Sequence, residues 1–233
     1  MQRRPSANPC QTVTYSRTPL PRTALYSYPG SGNTWLRHLI QQATGIATGS
    51  VYRDYALKLY GFPGEGVANT SVIAVKTHEW GPQERAKFDR CVLIIREPYG
   101  ALLAEFNRRH AGHRGHATSS NFGRAWREFV YARSRDWQKM NFDWLQFDGP
   151  LHVIRYENLM TDLLAEMRKL LTFLGTRVSN RDFSCMMKNS EGLFHRTDAG
   201  GYAKDHYDNK MVHLIDSIWT NMTEYLNSRF INR

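Results

Sequence analysis

The sequence is short of long apolar runs, of cysteine and of acidic side chains, and each shortage removes a class of protein. No stretch approaches the roughly 18 apolar residues of a membrane-crossing helix. Met1 to Arg22 mixes Arg, Pro, Ser and Thr without the apolar centre that a secretion signal needs. These residues read as a flexible basic arm, 1–22, ahead of a single domain, 23–233, and the chain is expected to be soluble. Three cysteines, Cys10, Cys91 and Cys185, are too few and too scattered for a disulfide framework, and no C-x-x-C pair suggests zinc. Cys91 heads an apolar run and reads as core. Against 31 Lys and Arg stand only 21 Asp and Glu, a net charge of +10, so anionic partners are favoured. Nucleic acid is not expected among them, because no basic and aromatic binding motif accompanies the charge.

What is present is enough apolar sequence for one core, 41% of 233 residues. Four runs have strand character: "TALYSY" (Thr23 to Tyr28), "SVIAVK" (Ser71 to Lys76), "CVLIIR" (Cys91 to Arg96) and "LHVIRY" (Leu151 to Tyr156). Runs apolar on both faces suit a buried parallel sheet. Helical periodicity covers Thr34 to Ala43, Tyr99 to Arg109, Asn121 to Trp144, Asp162 to Leu174 and Met211 to Ser228. Strands alternating with helices predict an α/β fold, three layers with a central parallel sheet.

Between the first strand and the first helix lies "SYPGSGNTW", Ser27 to Trp35. A glycine-rich turn that opens a helix gathers backbone N–H groups where the helix dipole also favours negative charge, which makes an anion cradle. Two nucleotide-loop templates, G-x-x-x-x-G-K-[ST] and G-x-G-x-x-G, fail because each needs a glycine where Trp35 stands. A plain βα turn, with Gly30 and Gly32 supplying positive φ, is the simplest alternative.

The loop with its flanks resembles the segment, approximately Y-P-K-S-G-T-T-W, with which sulfotransferases hold the 5'-phosphosulfate of 3'-phosphoadenosine-5'-phosphosulfate (PAPS). Three further stretches match that family in order: "VKTHEW", "VLIIREPYGALLAEF" and "VIRYENLMTDLLAEMRKLLTFLG". The four blocks span Ser27 to Gly175. "SYPGSGNTWLRHLIQQATGIATGSVY" and "EFNRRHAGHRGHA" resemble most the sulfotransferase-like domain of WSC-domain-containing proteins, which acts on sialylated glycans. The resemblance implies the three-layer sulfotransferase fold related to P-loop nucleoside triphosphate hydrolases, PAPS as donor, PAP as product, no metal, an anionic glycan acceptor and a Golgi location; a cytoplasmic one is the alternative.

It also implies roles. His78 would be the base that takes the acceptor proton, and Lys76, two residues earlier on an extended chain, would face the same side and carry charge. Gly30, Ser31, Gly32, Asn33, Thr34 and Trp35 would form the donor loop. Arg96, at a strand end, would offer a guanidinium fork to the 3'-phosphate. Tyr156 would lie at the adenine side, and Arg196, in "GLFHRTDAGG", would close over the 3'-phosphate. Read without the resemblance, His78 is a surface-loop histidine, Lys76 a solvated strand end, Trp35 a packing residue and Arg96 an ordinary ion-pair partner.

Two positions depart from the family pattern: Gly30 stands where many members carry lysine, and Ala104 where they carry serine. The alternative function that follows is a catalytically inactive domain binding anionic glycans. "RRHAGHRGHA" brings His110, His113 and His116 together, but x-x spacing through glycines does not set three imidazoles on one face for a metal. With Arg108, Arg109 and Arg114 alongside, a basic loop gripping an anionic acceptor is the better reading. Two N-x-[ST] triplets, at Asn69 and Asn221, matter only in a secretory compartment.

Overall fold

The computed structural model describes residues 10–192 and 203–231. Six strands, β1 (Thr23–Ser27), β2 (Gly49–Ser50), β3 (Gly64–Glu65), β4 (Val75–Thr77), β5 (Arg90–Ile95) and β6 (Leu151–Arg155), form one sheet in the order β3-β2-β4-β1-β5-β6. Every pairing is parallel. Parallel neighbours require crossovers, and the helices supply them: α1 (Asn33–Thr44), α2 (Tyr55–Leu59), α3 (Pro82–Arg85), α4 (Pro98–Ala111), α5 (Arg124–Leu145), α6 (Tyr156–Thr161), α7 (Leu163–Phe173), α8 (Asn180–Lys188) and α9 (Asn209–Leu226).

The all-apolar strands are buried on both faces as their sequences require, and the sheet divides two cores. On one side Tyr26, Leu93 and Ile95 meet α4, α5 and α9 through Phe106, Trp137, Trp144 and Ile215. On the other, Leu25, Val92 and Ile94 meet α1 and α7 through Leu36, Leu39, Leu170 and Leu171. Cys91 is fully buried in the first core, as its place in the strand predicts. Trp144 stacks on Tyr26 with ring centroids 4.6 Å apart and donates its indole N–H to Glu79 O. That contact ties the long helix α5 to the loop following β4.

Several boundaries differ from those expected. The strand expected from Ser71 is ordered as β only from Val75, because Ile73 and Ala74 bond in passing to Ala47 O and Gly49 N. Strands β2 and β3 are two-residue pieces containing glycine, so no apolar run announces them. Gly123 precedes α5, and Asp162 caps α7 by accepting from Ala165 N, splitting off α6.

The expected flexible arm is corrected over 10–22. Thr14 bridges Ile46, Ser16 N–H donates to Ser71 O, Leu20 N–H to Thr70 O, and Arg22 N–H to Asp89. The cysteines form no framework, but two of them pair: Cys10 and Cys185 are joined, with Cα atoms 5.6 Å apart across 175 residues of sequence. Separation along the chain carried no information here, because α8 packs on α1 and the N-terminal segment runs past both.

Candidate active site

A cleft of about 2160 Å³ opens beyond the C-terminal ends of β1, β4 and β5, where a parallel sheet places its ligands. The glycine-rich loop between β1 and α1 forms one wall. Gly30 and Gly32 have φ of 84° and 91°, and neither has room for a side chain. A Cβ on Gly30 would lie 2.4 Å from Ala101 O and 2.9 Å from Glu105 N, so helix α4 packs on the bare loop; on Gly32 it would lie 2.7 Å from the Tyr156 ring. The family's lysine at position 30 is therefore sterically excluded while α4 sits this close.

Gly32 starts α1 without a side-chain cap, leaving first-turn N–H groups for a ligand. Ser31 Oγ is buried in the loop with no hydrogen-bond partner, and Ser31 is not among the residues that line the cleft. Asn33 turns its side chain inward, donating to Leu25 O at 2.9 Å and Ser27 Oγ at 3.3 Å. It anchors the loop to β1, and only its backbone belongs to the cradle. Thr34 lines the cleft.

Arg96, at the end of β5, donates to Gly30 O at 3.0 Å and lies over the Tyr156 ring at 4.4 Å. Tyr156 meets Trp35 edge-on, centroids 5.9 Å apart. Glu97 caps α4 by accepting from Tyr99 N and Gly100 N, which fixes the turn that carries Arg96. Thus Gly30, Gly32, Trp35, Arg96 and Tyr156, distant in sequence, share one wall. That wall continues into residues 188–192, where Trp35 Nε1 donates to Ser190 O and His38 Nε2 bonds to Asn189 O, both at 2.7 Å. Cys185 sits one turn before this segment, so the disulfide pins it. Arg196 lies outside the described residues.

Lys76, in β4, and His78, just past its end, line the same cleft, two residues apart as alternation requires. His78 Nδ1 is 2.7 Å from Ser27 O, which assigns the proton to Nδ1 and leaves Nε2 as an acceptor. Burial, then the Lys76 charge, lowers the His78 pKa to about 3. Lys76 is 8% exposed, and burial followed by the Arg37 charge lowers it to about 8.

Tyr52 was not legible as a site residue. Its hydroxyl accepts the His78 backbone N–H at 3.0 Å and donates to Glu79 at 2.7 Å, its ring stacks on the imidazole at 5.7 Å, and Lys76 Nζ lies 5.8 Å from the ring centroid. No motif marks a lone tyrosine 26 residues before the histidine. Beneath this wall Arg37 pairs with Glu65, the other Glu65 oxygen accepts Asp54 N–H, and Asp54 bonds His113 at 2.8 Å. Glu105, buried in α4, holds Arg108 through both oxygens and also accepts from Arg109. The three histidines of the basic segment are not convergent, His110 bonding Phe106 O and His113 bonding Asp54. Among the described residues no group of three His, Cys, Asp or Glu side chains is placed to hold a metal.

Comparison with known proteins agrees with this arrangement. A model described as the sulfotransferase family matches residues 88–180. WSCD family members of Aedes aegypti and Drosophila melanogaster are each 45% identical over 179 residues, 75% of this chain and 56% of theirs. The chain thus spans little more than half the length of these curated relatives. Mouse sulfotransferase SULT7A1, complexed with PAP, superposes with a TM-score of 0.60 at 16% identity over 85% of this chain and 83% of its own. Retinol dehydratase, in complex with androsterone and inactive cofactor PAP, gives 0.58 at 15% identity over 85% and 79%. At such identities these structures speak for the fold. The chain is thus similar to the sulfotransferase family over residues 88–180 and to WSCD family members over three quarters of its own length, and its fold is that of the PAP-bound sulfotransferase structures.

Proposed function

We propose that this chain transfers a sulfuryl group from PAPS to a hydroxyl of an anionic carbohydrate, a sialylated glycan in the first instance, within a secretory compartment such as the Golgi lumen. The observation that carries the reading is the convergence of the bare α1 N–H groups, Arg96 and an Nε2-accepting His78 on one cleft. These residues fit the donor: the loop amides suit the 5'-phosphosulfate, Arg96 the 3'-phosphate, and Trp35 with Tyr156 the adenine. When bound, PAPS supplies the sulfuryl group and an anionic leaving group.

The chain's own work is then positional and electrostatic. His78 Nε2 takes the proton of the acceptor hydroxyl. Its Nδ1–H, held by Ser27 O, keeps the acceptor nitrogen toward the cleft. Lys76 places a cation beside the reacting oxygens. The cleft is also lined by Arg53, Arg108, Arg109 and His113, which supports an anionic acceptor. The Cys10–Cys185 disulfide supports an oxidising compartment.

The test is calorimetric titration of PAP. Wild-type protein binds in the micromolar range, and Arg96→Ala weakens binding by about 10- to 100-fold, the worth of a charge-assisted phosphate contact. Absence of wild-type binding would refute the donor site. Turnover is then followed with labelled PAPS and sialylated glycans. PAP and glycan binding without turnover would favour the inactive glycan-binding alternative, which Gly30 and Ala104 motivate.

Tyr52→Phe gives a second expected outcome. The ring and its stacking survive while the hydroxyl bridging His78 and Glu79 is lost, so kcat falls about tenfold with PAP affinity unchanged. Unchanged kcat would remove Tyr52 from the positioning of the base.

A further inference from the structure

The Asn69-Thr70-Ser71 triplet, which the activity does not use, forms a compact turn just beyond β3, the edge strand of the sheet. Asn69 and Thr70 are exposed. The Asn69 side-chain oxygen accepts from Ser71 N–H at 3.0 Å and from Ser71 Oγ at 2.6 Å, so amide and hydroxyl are presented together. The backbone beneath is fixed, because Thr70 O and Ser71 O accept from Leu20 and Ser16 of the same N-terminal segment that carries Cys10. No residue from 64 to 75 lines the cleft, so a large group on Asn69 leaves it open.

The second triplet, at Asn221, is placed differently. It lies within helix α9, and its Thr223 hydroxyl is already bonded to Trp219 O and Thr220 O. The hydroxyl that pairs with the asparagine in the first triplet is here committed to the helix.

We propose that Asn69 is an N-glycosylation site, and that the folded chain carries its oligosaccharide on the β3 edge. The inference rests on the secretory placement proposed above, for which the disulfide speaks independently of the triplet. In the reaction the Asn69 amide nitrogen forms a bond to C1 of the sugar of a lipid-diphosphate oligosaccharide. The C1–O bond to the diphosphate breaks, the nitrogen loses one proton, and the lipid diphosphate leaves.

The experiment expresses the full chain through the secretory pathway of a eukaryotic cell, as wild type, Asn69→Gln and Ser71→Ala. Cysteine pairing is mapped without reduction, and Asn69 is read by peptide N-glycosidase in heavy-oxygen water with mass spectrometry. The expected result is a Cys10–Cys185 linkage with most wild-type Asn69 converted to labelled Asp. One glycan's mass is lost in both variants, and PAP affinity is equal in all three. A disulfide-linked wild type with unmodified Asn69 overturns the glycan alone. Recovery of Cys10 and Cys185 as free thiols overturns it together with the secretory placement.

Discussion

His78→Ala abolishes measurable sulfuryl transfer, a loss of about 10²–10⁴-fold in kcat, while PAP binding stays within a few-fold of wild type. The expectation follows from the division of the cleft. His78 touches Ser27 O and Tyr52, whereas the donor wall is Gly30, Gly32, Trp35, Arg96 and Tyr156. Single-turnover assays beside PAP calorimetry separate the two. Joint loss of transfer and PAP binding would refute the assigned role.

The pH profile carries the same argument further. With its pKa lowered to about 3 by burial and by Lys76, His78 is a neutral acceptor throughout the neutral range, so the acid limb of kcat/KM lies well below the ordinary histidine value of 6.5. Lys76, lowered to about 8, loses its charge on the alkaline side, and activity falls above that pH. Lys76→Arg, permanently charged, moves the alkaline limb upward. An unmoved limb would exclude Lys76 as its source. Stability follows the sign of the same shift. A histidine depressed in the fold binds its proton preferentially when unfolded, so His78's contribution is complete above about pH 6.5 and is lost progressively down to about pH 3.

Glu65→Ala is expected to lower unfolding free energy by about 3–5 kcal/mol, because it leaves the buried Arg37 guanidinium without its counter-charge. Side-chain exposure is 0% for Arg37 and 1% for Glu65, with nitrogen and oxygen 2.5 Å apart. Arg37 also donates to Thr48 and lies over the Phe62 ring at 4.5 Å. Burial lowers the Arg37 pKa and Glu65 opposes that, the arrangement of a pair that must be kept or removed whole. Arg37→Met with Glu65→Leu should recover most of the loss in urea denaturation, since two well-packed apolar chains replace the pair without stranding a charge. The single variant also releases Asp54 N–H, disturbing the cap of α2 and the bond to His113. If the single variant unfolds at the wild-type urea concentration, the pair is energetically idle.

Much of the candidate site's loop wall was legible because local rules govern it. A strand, a turn with positive φ and a helix start are written within Ser27 to Trp35, and alternation alone sets Lys76 and His78 on one side. Arg96 was legible as the polar end of an apolar strand. Those rules did not reveal the task of the Asn33 side chain, which anchors the loop from beneath. They were silent on Tyr52, Glu105 and the Arg37–Glu65–Asp54–His113 chain, because such residues acquire meaning only through partners brought up by crossovers.

By itself, the sequence determined the alternation of apolar strands with helices, hence a parallel sheet, and the positive-φ glycine turn at its first crossover. Both arise from backbone sterics and burial patterns that act over a few residues. Only the tertiary structure decided that α4 presses on Gly30 and bars a side chain there, that Tyr52 stacks on His78, and that Cys10 reaches Cys185. The reason is physical. Contacts between elements depend on how the sheet orders its strands, and spacing along the chain does not encode that order.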